Sequence, residues 1–205
     1  MAPKVSEEYK MWRKKELVEI AKSVFIQNGF VRTSMQDIMD KAGISRGALY
    51  SYFDNIEDVF LEVLKYDDQK NISYFSFSNE GSIWLQLKNW IEKQQLYIEK
   101  IDQTLTQARA EFFLSSNYVK DKDNFPYISE RYDRIIEVIE EVLIEGTHKG
   151  EFSPQQSIRS IAQYIISFID GLMLNTFQLG NEQTEVKEQL SVLLFTLKVL
   201  INPKS

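Results

Sequence analysis

The chain has 205 residues, 43% of them hydrophobic and 26% charged, with four prolines and eight glycines. That balance belongs to a globular protein larger than a single small module and leaves little punctuation for a strand-rich fold. The absence of cysteine excludes disulfides and thiolate metal sites, and His148, the single histidine, has no second imidazole to complete a zinc site, so neither metal nor cofactor is expected. The first residues lack the apolar segment of a leader, and no run approaches the roughly eighteen uncharged apolar residues of a membrane span. A cytoplasmic protein without membrane association is expected.

The net charge of −6 is unevenly distributed. From Lys10 to Tyr50 the cations Lys10, Arg13, Lys14, Lys15, Lys22, Arg32, Lys41 and Arg46 outnumber Glu16, Glu19, Asp37 and Asp40, whereas the chain after Tyr66 is net acidic. A local basic face is therefore available to phosphate.

In the first stretch, Leu17, Ile20, Ala21, Val24 and Phe25 form one apolar stripe on a helix that stops at Asn28-Gly29. Ser34 and Asp37 read as a capping-box variant opening a short second helix, with Ile38, Met39 and Ala42 on one face and Gly43 closing it. Ser45 caps a third helix carrying Leu49 and Phe53 inward, and Asp54 or Asn55 caps a fourth running through Val59, Phe60, Val63 and Leu64. Asn71 to Gly81 reads as a loop or a fraying helix end. Further helices are predicted near 82–101, 103–117, 126–149, 154–179 and 183–201, with Gly146 to Pro154 the clearest break.

The last two helices are apolar over wide arcs. Burying Ile158, Ile165, Ile169 and Leu172 of one and Leu190, Leu193 and Leu197 of the other in a homodimer interface is one way to absorb the excess, with Gly171 allowing close approach. A buried hairpin inside a monomer is the other.

Thr33 to Phe53 holds the parts of a helix-turn-helix: a capped support helix, a glycine at the turn and a short second helix. With Leu49 and Phe53 inward, Arg46, Gly47 and Ala48 are placed to reach base edges. Arg46 suits guanine, Ala48 a thymine methyl, and Gly47 removes bulk. Thr33, Ser34, Ser45, Tyr50, Tyr52, Lys14 and Lys15 are the candidates for phosphate.

At this point the sequence resembles a known family. The first helix followed by GF-x-x-T-S-x-x-x-I-x-x-x-AGIS-x-G-x-LY-x-YF, over roughly residues 12 to 66, is similar to the tetracycline-repressor (TetR) family, and the Gly150–Phe152 turn agrees. The resemblance implies an all-α homodimeric transcriptional regulator, a repressor by expectation. It would have an N-terminal three-helix helix-turn-helix unit over 1–56, joined through a long fourth helix to a C-terminal ligand-binding and dimerisation domain over 57–205. Its implied partners are a double-stranded DNA operator, a second copy of itself and an unidentified small-molecule effector. The family places a lysine at the start of the fourth helix against phosphate; this chain has Ile56, with Asp54 and Asp58 nearby.

Two other classes compete. Gly43 to Gly47 also fits the G-x-S-x-G elbow of serine hydrolases, but such an elbow follows a strand, the residues before it are helical in pattern, and His148 lies in a polar segment, so no catalytic residue is assigned. An all-helical interaction or ligand-binding module without DNA binding remains open, and Ile56 favours it. For the effector, Trp90, Phe112, Phe113, Tyr127, Tyr164 and Phe168 are the candidate pocket residues, with Glu111 or Asp170 as counter-charge for a lipophilic cation. The fourth helix is the expected relay between the two regions.

Overall fold

The structure, a computed structural model, describes residues 6–72, 80–120 and 122–204. Among these residues it contains helices and no strand: α1 (Glu7–Asn28), α2 (Met35–Ala42), α3 (Arg46–Tyr50), α4 (Ile56–Ile72), α5 (Ile83–Glu99), α6 (Thr106–Phe113), α7 (Ser116–Lys120), α8 (Pro126–His148), α9 (Ile158–Leu179), α10 (Asn181–Thr184) and α11 (Val186–Ile201). The all-α expectation holds. Single 3-10 turns lie at Ile101–Gln103 and Lys122–Asn124. The helix expected over 103–117 is broken into α6 and α7. The one expected from 154 begins at Ile158, where the Ser157 hydroxyl accepts the Ser160 N–H at 3.1 Å. The last is interrupted at Glu185, whose φ of +46° no helix continues through. Residues 73–79 of the loop expected at Asn71 to Gly81 lie outside the described residues.

The chain divides into two compact units, Met1–Asn71 with Gln103–Ser115, and Ile72–Asp102 with Ser116–Ser205. The boundary expected after residue 56 therefore falls inside the first unit. The reason is packing. Val59, Phe60, Val63 and Leu64 of α4 are fully buried with Leu17, Ala21 and Phe25 of α1, Ile38 of α2, and Leu49 and Phe53. Helix α6 joins them through Ala108 and Phe112, with Leu105 buried at its N-cap. Four rings close the core, with centroids 4.9 Å apart for Phe25–Phe60, 5.1 Å for Phe30–Phe60 and 5.0 Å for Phe30–Phe112. Such pairs contribute about 0.5–1.5 kcal/mol beyond their buried area.

The second unit has its own core, drawn from Ile83, Leu87 and Ile91 of α5, Ile136, Ile139 and Leu143 of α8, and the inner faces of α9 and α11. The turn at Gly150 to Phe152 is a tie-point. The Phe152 ring lies where a β-carbon on Gly146 would stand, and the Glu151 carboxylate accepts N–H groups of Ile83 (3.1 Å) and Trp84 (3.3 Å) and the Ser82 hydroxyl (2.9 Å). Partial burial works against the charged form, yet these donors hold Glu151 below the ordinary carboxylate range. The free amides at the start of α5 thus gain an anion.

The residues expected at a dimer interface need correction. Ile165, Ile169, Leu172, Leu190, Leu193 and Leu197 are all at most 5% exposed, and Ile158 packs partly buried against the same core. They are consumed within one chain. What α9 and α11 leave exposed is a different set: Tyr164, Phe177 and Leu179 on α9, and Val192, Phe195 and Val199 on α11. A wide apolar arc has two sides, and periodicity alone does not say which of them faces the chain's own core.

Candidate nucleic-acid interface

The support helix α2 starts at a complete capping box. The Ser34 hydroxyl accepts the Asp37 N–H at 3.3 Å, while Asp37 accepts both the Ser34 N–H (2.8 Å) and its hydroxyl (2.6 Å). These bonds, the Ser34 hydroxyl first, hold the Asp37 carboxyl below its ordinary value. Helix α2 ends at Gly43 in the left-handed conformation, φ 63° and ψ 36°, and the Gly43 and Ile44 N–H groups return to carbonyls of α2. Only a residue without a β-carbon enters that conformation cheaply, so the chain reverses here and α3 begins two residues later. Ser45 caps α3 by accepting the Ala48 N–H at 3.4 Å.

Leu49 and Phe53 are 0% and 2% exposed, anchoring α3 to the core. Rotated away from them, Arg46, Gly47 and Tyr50 face solvent and Ala48 is half-buried. Arg46 lies over the Tyr50 ring, 5.2 Å from its centroid, a pairing one helical turn apart that the sequence spacing permitted and that braces the guanidinium outward. Among the described residues no carboxylate pairs with Arg46. The face presented by α3 is thus a cation, a gap and a phenol.

The expected phosphate set is only partly available. Thr33 is 6% exposed and its hydroxyl donates to the Gly29 carbonyl at 2.6 Å, so it serves the turn after α1. The Ser34 and Ser45 side chains are engaged in caps. Tyr50 is exposed and Tyr52 half-buried. Lys14 is paired with Glu62 of α4 at 2.7 Å and sits over the Phe53 ring, and Lys15 stands exposed, 5.9 Å from the Tyr66 ring centroid. Burial opposes ionisation of Glu62, but hydrogen bonds from Lys14 and Lys65 and their charges outweigh it and keep its carboxyl low. A bond across 48 positions left no local signal in the sequence.

The start of α4 is closed to anions. Asn55 accepts the Asp58 N–H at 2.8 Å and Asp58 accepts the Asp54 N–H at 3.2 Å, with Glu57 and Asp58 in the first turn. These carboxylates occupy the positive end of the helix dipole, and Ile56 offers nothing to a phosphate. The G-x-S-x-G match is the turn between α2 and α3; its serine follows a helix and caps another, which is not the geometry of a nucleophile elbow.

The six aromatic residues expected at an effector pocket are divided between the two units. Phe112 and Phe113 belong to the first unit, where Phe112 is buried among Phe30 and Phe60. In the second unit Trp90 is part of the core, Tyr127 is half-buried, and Tyr164 and Phe168 are α9 neighbours 6.3 Å apart, with Tyr164 exposed. Glu111, expected as a counter-charge, accepts the Val31 N–H in the first unit. A cavity of about 330 Å³ is lined by Tyr118, Asp123, Phe125, Pro126 and Ser129, none of them from the expected set. Among the described residues no cluster could hold a metal ion, and no helix is long and apolar enough to cross a membrane.

A capped support helix, a left-handed glycine turn and a short outward-facing helix on a shared helical core define a helix-turn-helix transcriptional regulator. Residues 17–63 match the model of bacterial regulatory proteins of the tetR family, and residues 86–187 match that of the tetracyclin repressor-like C-terminal domain. The chain belongs to the TetR family. It is 28% identical over 187 residues to the HTH-type transcriptional regulator YfiR of Bacillus subtilis, covering 91% of this chain and 90% of that one. It is 23% identical over 184 residues to the HTH-type transcriptional regulator QacR of Staphylococcus aureus, covering 87% and 94%. The crystal structure of a TetR transcription regulator from Haloarcula marismortui superposes with a TM-score of 0.78 at 14% identity, over 92% of this chain and 97% of the other, and shows the same fold.

Proposed function

We propose that this regulator represses transcription by binding an operator in the cytoplasm as a homodimer, and that a small hydrophobic effector taken up by the second unit controls its affinity. The observation that carries the DNA-binding part is the solvent-facing Arg46, Gly47 and Tyr50 on a helix locked inward by Leu49 and Phe53. Arg46 and the half-buried Ala48 then read base edges, while Tyr50, Tyr52 and Lys15 touch phosphate. Lys14 contributes only as far as phosphate competes with Glu62. The exposed apolar residues Val192, Phe195 and Val199 of α11, with Tyr164 and Gly171 of α9, support a face covered by a second copy, since Gly171 has open space around its missing β-carbon. For the effector, Trp90, Tyr127 and Phe168 remain the candidates from the second unit. The α4 start, capped and acidic, favours a second reading, an interaction module without DNA binding.

Selection of duplexes from random DNA followed by footprinting separates the two. A DNA binder enriches a sequence of two related half-sites about 34 Å apart, or a multiple of a helical turn, and its affinity falls steeply with salt. An interaction module enriches none.

A further inference from the structure

The chain crosses between its two units three times: after Asn71, after Asp102 and after Ser115. Two of these crossings are the ends of the segment that carries α6. Within the first unit α6 holds its neighbours through Arg109, Glu111 and Phe112. The Arg109 Nη2 donates to Asp67 Oδ2 at 2.6 Å, and Asp67, 4% exposed on α4, is also paired with Lys22 of α1. Glu111 Oε2 accepts the Val31 N–H at 2.8 Å, and its Oε1 accepts from Gln107 at 2.8 Å. The carboxylate fits because residue 29 is glycine: a β-carbon there would stand 2.5 Å from Glu111 Oε2, besides the strain of φ +76°.

The turn that Glu111 holds leads directly to the DNA-reading helices. Gly29 accepts the Thr33 hydroxyl, and Ser34, the next residue, opens α2. The three contacts also differ in how easily they let go. Phe112 is 2% exposed among other rings, and pulling it out costs its full burial. Val31 is 73% exposed, so water replaces Glu111 at its N–H without leaving a buried donor unpaired. Arg109 gives way less readily: its partner Asp67 is 4% exposed, so parting them leaves a buried carboxylate short of one cation, and Arg109 Nε is itself buried with no hydrogen-bond partner. The geometry is a pivot at Phe112, a buried ion pair at Arg109 and one releasable hold at Glu111.

We propose that Glu111 and Arg109 are positioning residues for DNA binding: pivoting on Phe112, α6 sets the Gly29–Ser34 turn and with it the attitude of α2 and α3. This rests on the DNA-binding reading above, and the route from α6 to the turn lies wholly within the first unit.

The test uses the full chain and a duplex selected by the wild-type protein. Glu111→Ala should speed amide exchange across residues 29–34 and weaken duplex binding about tenfold, equivalent to about 1.4 kcal/mol. Glu111→Gln, which keeps an acceptor, should recover most of both, and Arg109→Met should weaken binding while sparing the Val31 amide. Should Glu111→Ala not fold, Glu111→Asp replaces it, a methylene shorter with the charge kept. Wild-type duplex affinity in a Glu111→Ala protein whose turn exchanges faster would leave the contact merely structural and overturn the proposal, as would unchanged exchange. Failure of the wild-type protein to select any duplex is a different result, seen before a variant is made, and it removes the DNA-binding reading itself.

Discussion

Helices α3 and α11 solve the same packing problem with opposite outer faces. In α3 the inward residue Leu49 is wholly buried and the outward ones are Arg46, Gly47 and Tyr50, polar or small. In α11 the inward residues are Val186, Leu190, Leu193, Leu197 and Ile201, and the outward side still carries Val192, Phe195 and Val199 at 59%, 69% and 60% exposure. A polar, cationic outer face suits a hydrated polyanion. An apolar one suits a surface like itself. The difference shows that the core-facing stripe of a helix builds the fold, while the chemistry left on the other side identifies what covers it.

The largest expected effect tests the two sides of α11 against each other. Leu193→Asp places a charge at a wholly buried site and should abolish cooperative unfolding; even Leu193→Ala should cost about 2–5 kcal/mol. Phe195→Asp, only two residues away, should leave helicity intact and shift sedimentation from dimer to monomer. A Phe195→Asp protein that sediments as a dimer would move the subunit interface elsewhere.

The same contrast within the DNA-reading unit separates Arg46 from Lys15. Arg46→Ala should cost about 1–3 kcal/mol on the best duplex and flatten discrimination at one base pair of each half-site, whereas Lys15→Ala should weaken all sequences alike and lower the salt slope by about one. Titrations of both variants on selected and scrambled duplexes across a salt series read this out. Equal losses on both duplexes for Arg46→Ala would put the arginine on the phosphate backbone.

What could be read beforehand follows from range and contrast. Gly43, the Ser34–Asp37 cap and the inward Leu49 and Phe53 were legible because each depends on neighbours within about one helical turn and on a clear polar-apolar difference. Thr33 was not: its hydroxyl turns inward only because Gly29 adopts a positive φ and offers its carbonyl. The pairings Lys14–Glu62 and Arg109–Asp67 join residues far apart in sequence, and a charge run looks the same whether its members meet solvent or a distant carboxylate. In α9 and α11 the apolar arc exceeds one face, so periodicity lost its power to separate core from contact surface.

A few residues after α3 comes the start of α4, acidic where a phosphate contact would help. Ile56→Lys adds a cation beside α3 and should steepen the salt slope by about one unit while raising affinity for selected and scrambled duplexes alike. The Asn55 cap stays in place, so the thermal midpoint should move little. An unchanged slope would mean that bound DNA does not pass this helix end.

The smallest effect concerns the cap that orients α2. Asp37 is held below its ordinary value of 3.8, first by the Ser34 hydroxyl and then by the Ser34 N–H. A carboxyl depressed in the native state stabilises it fully above the unfolded value and loses that contribution as pH falls through the native one. Ser34→Ala should therefore lower unfolding stability by about 1 kcal/mol at pH 7 and equally at pH 5, with the gap to wild type narrowing only below about pH 4. Because the Ser34 hydroxyl already donates to Asp37, its loss should leave the salt slope of DNA binding unchanged. Urea titrations at several pH values, paired with one salt series, test both halves. A gap that drifts between pH 5 and 8 would point to a titrating group other than Asp37, and a shallower salt slope would return Ser34 to the phosphate contacts.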